Sequence, residues 1–108
     1  MEPLSHTPEA IRSVVDQIAQ LAAPEAIYLF GNKRGERGKT TGFKLLIVAE
    51  HQSREQAERE LYLKIDCEVP FDVVVYSPEE FASLRGQEGS FARKIAETGV
   101  MLYGKTPV

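Results

Sequence analysis

The chain has 108 residues, 43% apolar and 27% charged, which is enough for one modest core and too apolar for wholesale disorder. Its net charge of −3 argues against a broad nucleic-acid or membrane-surface partner. One cysteine, Cys67, excludes an internal disulfide, and with His6 and His51 as the two histidines there are too few ligands for a structural zinc site. No apolar run approaches the roughly 20 residues of a membrane span, and the opening MEPLSHTPEA lacks the basic-then-apolar layout of a signal peptide. The expectation is a single cytoplasmic domain over residues 1–108, with a core of about 8–104.

Thr7, Pro8 and Glu9 predict a helix start: threonine as N-cap, proline at the first helical position, and an acid at the positive end of the dipole. Ile11, Val14, Val15, Ile18 and Leu21 follow at helical spacing, and Pro24 stops the run. Residues 26–30 predict a short central strand, apolar on both faces. Residues 31–42 hold four glycines and no core-forming side chain, so they read as a loop with at most one helical turn. Residues 43–49 predict a second strand, apolar nearly throughout except Lys44.

Ser53 and Gln56 have capping-box spacing, which starts a second helix running to about Ile65, with Ala57, Leu61, Tyr62 and Ile65 forming a narrow stripe. Residues 71–76 (FDVVVY) predict a third strand. Ser77 to Glu80 repeats the capping signal for a short helix to about Leu84. Ser90 caps a further helix with Phe91, Ile95 and Ala96 inward and Gly99 as its C-cap. Residues 100–103 predict a last short strand, followed by a tail. Alternation of strands and helices without repeats gives an α/β (α+β) fold, a small mixed sheet of about four strands covered by helices.

Charge is unevenly placed. Lys33, Arg34, Arg37, Lys39 and Lys44 stand against Glu36 alone, a local +4 that leaves −7 to the rest of the chain. A basic cluster confined to one stretch of an acidic body points to a small anion site or, failing that, to a solvated loop. Gly31 with Lys33, Arg34 and Arg37 offers a turn and cationic side chains of the kind that cradle phosphate.

The order of elements over residues 11–104 resembles a minimal nucleotidyltransferase domain of the DNA-polymerase-beta superfamily. Tyr28-Leu29-Phe30-Gly31-Asn32-Lys33-Arg34-Gly35 is similar to that family's glycine-serine turn, with Asn32 in the serine position. The segment from Phe71 to Phe81 is similar to its third strand and keeps the aspartate, Asp72. The segment from Gly99 to Gly104 is similar to its last strand. The middle motif departs: Gly42 and Lys44 stand where the resemblance implies an aspartate pair that would hold two divalent cations with Asp72.

Asp66 and Glu68 have acid-x-acid spacing but sit in a turn before Pro70, and Glu50 lies six residues beyond Lys44, roughly 20 Å along an extended strand. Neither replaces the pair, so no metal ligands are assigned. The nucleotide- or phosphate-binding set is Gly31, Asn32, Lys33, Arg34, Arg37 and Lys44. An inward Lys44 is expected to form a structural ion pair with Asp72, the alternative being direct contact with a phosphate.

The resemblance then implies a non-catalytic subunit that binds a nucleotide or phosphate, or that acts as an antitoxin-like partner of a helical HEPN-type protein or as a homo-oligomer. One alternative is atypical nucleotide transfer from a nucleoside triphosphate, with Mg2+ and that triphosphate as cofactors. The other is a purely structural domain.

Overall fold

The structure, a computed structural model, describes residues 8–104. Thr7 and His6 lie outside the described residues, as does the tail expected after Gly104. The elements in order are α1 (Glu9–Ala22), β1 (Ala26–Arg34), β2 (Thr40–Val48), α2 (Arg54–Lys64), β3 (Phe71–Tyr76), α3 (Pro78–Arg85), α4 (Phe91–Thr98) and β4 (Val100–Gly104). The strands form one mixed sheet in the order β3-β2-β1-β4. β1 is antiparallel to both neighbours, whereas β2 and β3 are parallel and joined through α2. The α/β class and four-strand sheet expected from the sequence are the observed ones. No helix among the described residues is long and apolar enough to cross a membrane.

The central strands carry apolar side chains on both faces because helices cover both. On one face Ile11, Val14, Val15 and Ile18 of α1 and Leu61 of α2 pack against Ile27, Leu45, Ile47, Val73 and Val75. On the other, Phe81 of α3 and Ala92 and Ile95 of α4 pack against Ala26, Tyr28, Leu46, Val48 and Tyr76. Alternation along each strand assigns successive residues to opposite faces, and the two clusters follow it. The phenol of Tyr28, beside Phe81 at 5.6 Å between ring centres, has its pKa raised by burial, with the positive charge of Arg85 acting in the opposite direction.

Local signals set most boundaries. Ser53 and Ser90 accept from the backbone N–H of Gln56 and Arg93, and Ser77 and Glu80 complete a full capping box at α3. α1 ends at Ala22, with Ala23 in the left-handed region ahead of Pro24. Gly99 closes α4 in an extended conformation; a Cβ there would sit 2.7 Å from the Ile95 carbonyl oxygen, so glycine answers a close approach and not a left-handed turn.

Three expectations need correction. The stretch 31–42 is not a loop: β1 runs on to Arg34 and β2 begins at Thr40, leaving a tight turn at residues 35–39 that contains one short helical turn, Glu36–Gly38. Pairing of Asn32 with Phe43 and of Lys33 with Gly42 supplies the reason, since extended backbone can be satisfied strand to strand without any core-forming side chain. Leu21, in the last turn of α1, is 48% exposed, and the buried stripe of that helix ends at Ile18. Phe91 is 43% exposed and Ala92 takes the inward position, although the Phe91 ring still meets Phe30 edge-on at 5.2 Å.

The two edges of the sheet differ. Along β3, the Val73 N–H donates to the Tyr62 hydroxyl (2.9 Å) and the Val75 N–H donates to Glu58 (3.0 Å). Arg54 Nε in turn donates to the Val75 carbonyl (3.0 Å), while its guanidinium also reaches Glu80 and lies over the Tyr76 ring. Side chains of α2 and its N-terminus thus occupy the β3 edge. Among the described residues no side chain bonds the backbone of β4.

Candidate functional site

β4 pairs with β1 only as far as Leu29, so beyond that residue the β1–β2 hairpin projects from the full sheet. A register shift at Phe30 places Gly31 opposite Lys44, and the next step places Lys33 opposite Gly42. Opposed residues share a face, so Lys33 and Lys44 emerge from different strands onto the same side.

Each lysine lies over the glycine across from it. A Cβ added to Gly31 would meet the Lys44 stem at 3.2 Å, and one added to Gly42 would come within 3.9 Å of Lys33 Cδ. The two glycines form a floor that would be filled by any larger side chain, and the lysine stems cover that floor while their charged heads stay in water. Lys33 and Lys44 are both exposed.

Around this floor is a cleft of about 430 Å³, lined by Gly31, Asn32, Lys33, Gly42, Lys44 and Asp72. Asp72 is exposed at the start of β3, in register with Lys44 on the parallel neighbour. Six residues singled out by sequence therefore converge. Arg34 and Arg37 do not line the cleft; both are exposed toward the hairpin tip, Arg37 in the left-handed region with φ 65°.

Two further expectations change here. Lys44 is exposed, not inward, so no burial cost forces it into an ion pair. Among the described residues the ion pairs are Arg54–Glu80, Arg59–Glu55 and Arg93–Glu97, and Lys44–Asp72 is not one of them. The physical reason lies in the direction of the stem. Lys44 leans toward Gly31 on β1, away from Asp72 on β3.

The Asn32 side chain is also committed, its carboxamide oxygen accepting from the Thr40 hydroxyl at 3.1 Å across the hairpin. Nor do the backbone amides of residues 31–34 form a concave phosphate nest. They belong to a strand, where successive N–H groups point in opposite directions. Recognition of an anion in this cleft falls to the lysine side chains.

The donor set decides what the cleft can hold. A two-metal centre needs several carboxylate oxygens, and the lining residues provide one carboxylate beside two ammonium groups. Among the described residues no three His, Cys, Asp or Glu side chains form a metal-ligand group. The residues present do not fit a pair of divalent cations. They do fit an anion with oxygen acceptors, for which two lysines are ready partners.

No protein-family model, curated protein or solved structure matches this chain.

Sequence reading missed Phe30, the aromatic side chain on the lysine face, and the row of Phe43 and Phe71, which borders the cleft while its rings pack on the α1–α2 face of the sheet. Phe43 and Phe71 stack at 5.8 Å, and Tyr62 stacks on Phe71 at 5.6 Å, extending the row to the protein surface. One signal was available. Phe43 and Phe71 each stand immediately before the charged residue of their strand, Lys44 and Asp72, so equal strand register would have set them side by side.

Proposed function

We propose that this protein binds a small phosphate-bearing ligand, a nucleotide or a compound of similar charge, without a metal ion and without transferring the phosphoryl or nucleotidyl group. The observation that carries this reading is the reciprocal pairing of Lys33 over Gly42 and Lys44 over Gly31, which brings two exposed lysines onto one face of the hairpin where no other side chain projects from the facing positions. Charge-assisted hydrogen bonds from those ammonium groups to phosphate oxygens supply the attraction. Phe30 supplies an apolar surface for the remainder of the ligand.

Asp72 is the one acidic side chain on this cleft. It disfavours a second anionic group on the β3 side and so biases the phosphate toward the β1–β2 hairpin, where Lys33 and Lys44 cross over each other's strands. In this reading the carboxylate orients the ligand and performs no chemistry. The resemblance to nucleotidyltransferases supports a nucleotide as the ligand, and the replacement of the acidic pair by Gly42 and Lys44 supports binding without transfer.

Titration of ATP, ADP and inorganic pyrophosphate by calorimetry, with and without Mg2+, tests the proposal. Binding that persists in EDTA and weakens about tenfold or more in Lys33→Ala or Lys44→Ala is the expected result. Arg34→Ala and Arg37→Ala, both outside the cleft, are expected to change affinity no more than about twofold.

A further inference from the structure

A second cavity, of about 480 Å³, lies on the sheet face covered by α3 and α4, and its lining shares no residue with the lysine cleft. Tyr28 of β1 lies at its base. Arg85 and Gly86 at the end of α3 and Arg93, Ala96 and Glu97 of α4 complete the lining.

Three hydrogen-bond donors meet in this cavity, and two of them have no partner. Tyr28 is 4% exposed, yet among the described residues its hydroxyl makes no hydrogen bond. Among those residues no side-chain oxygen or nitrogen sealed from solvent lacks a partner, so the hydroxyl is the part of Tyr28 that opens into the cavity. Arg85 is half-buried and, among the described residues, joins no ion pair. Arg93 engages Glu97 through Nε at 2.7 Å, which leaves its two terminal nitrogens. A polar group set in largely apolar surroundings without a partner is costly, and native structures satisfy nearly all such groups. The carbonyls that end α3 do not fill the need, since those of Ser83 and Leu84 already accept from the N–H groups of Gly86 and Gln87.

Glu97 selects the charge of the occupant. Its pairing with Arg93 leaves Arg85 as the one uncompensated charge on the cavity, whereas neither lysine of the other cleft is in an ion pair. A dianion would stand close to the Glu97 carboxylate and be repelled by it, while a single negative charge is matched. We propose that this cavity binds the carboxylate of a small organic acid, its oxygens accepting from the Tyr28 hydroxyl, the Arg85 guanidinium and the terminal nitrogens of Arg93. The planar guanidinium fork fits the two oxygens of a carboxylate. Burial raises the Tyr28 pKa, which keeps the hydroxyl protonated, and hence a donor, at neutral pH. Apart from the Tyr28 ring, Ala96 is the one apolar side chain in the lining, which suits a short, hydrophilic acid.

Titration of the full chain with acetate and with succinate at constant ionic strength, followed by amide NMR shifts, tests the proposal. Saturable shifts centred on residues 28, 85, 86 and 93–97 are expected, with dissociation constants of about the millimolar order. Tyr28→Phe, which retains the ring, and Arg85→Gln are each expected to weaken binding by about fivefold or more. Arg59→Gln, which removes a charge outside both cavities, should leave it unchanged. Shifts that fail to saturate, or an equal loss in Arg59→Gln, would show general attraction of anions and overturn the proposal. So would undiminished binding in Tyr28→Phe and Arg85→Gln with circular dichroism preserved, or tighter binding of inorganic phosphate than of acetate. The Lys33→Ala, Lys44→Ala double variant should retain the acetate shifts, and their loss there would place the acid in the lysine cleft instead. ATP binding in EDTA should in turn survive Arg85→Gln, so the two sites succeed or fail separately.

Discussion

The inner and outer halves of the β1–β2 hairpin are built from the same two strands and do different work. In the inner half, Ile27, Leu45, Leu46 and Ile47 are fully buried, with α1 and α2 on one face and α3 and α4 on the other. In the outer half the second helical layer stops, and the face it leaves open carries Gly31, Lys33, Gly42 and Lys44. Antiparallel pairing continues through a register shift at Phe30, and the side chains change. Such a pair of strands can be stabilised at one end while the other end is free to vary for binding, because the backbone ladder does not depend on what the exposed face carries.

Substitutions in the two halves should separate stability from binding. Leu46→Ala removes side-chain volume from a fully buried position and is expected to cost about 3 kcal/mol in urea unfolding, whereas Lys44→Ala two residues away should stay within about 0.5 kcal/mol. Comparable losses from both would mean that Lys44 is structural.

The next largest effect concerns ligand choice. Gly42→Asp combined with Lys44→Asp would place three carboxylates on one face with Asp72, and a Cβ at Gly42 has ordinary contact distances to Pro70 and Lys33. Calorimetry should detect Mn2+ binding by this variant and loss of metal-independent phosphate binding. Retention of the latter would show that Lys44 does not hold the anion.

A smaller effect is expected at Gly31. The atoms nearest an added Cβ are Lys44 Cδ, Cγ and Cβ at 3.2 to 3.3 Å, so Gly31→Ala should cost less than about 1 kcal/mol while displacing the Lys44 stem. A fewfold loss of phosphate affinity at nearly unchanged stability is the outcome that the reciprocal lysine–glycine arrangement predicts.

The smallest effect belongs to the inner half and to pH. Burial raises the Tyr28 pKa in the folded state, so the unfolded chain releases that proton first and stability falls as pH rises through the unfolded value toward the folded one. Tyr28→Phe should flatten part of the decline above about pH 10, measured by denaturant unfolding across that range. An unchanged slope would place the phenol in contact with water.

Much of this architecture could be read from the residues. The β3 boundaries and the serine caps of α2, α3 and α4 follow local rules that the tertiary structure did not override. The hairpin beyond Leu29 could not be read that way. Its strands gain order by pairing with one another, and glycine, lysine and threonine carry little strand signal of their own. For the site, sequence placed Gly31, Asn32, Lys33, Gly42, Lys44 and Asp72 together but could not separate Lys33 from Arg34. The pleat does, because adjacent residues of a strand face opposite ways. The direction of the Lys44 stem was equally hidden, since it depends on the absence of a side chain across the hairpin.

The most direct test of the central claim is calorimetric titration of ATP in EDTA, with the wild-type chain beside a folded Lys33→Ala, Lys44→Ala double variant. The account predicts measurable binding by the wild type without metal and none by the double variant over the same concentration range. Binding that requires Mg2+, or that survives loss of both lysines, would contradict it.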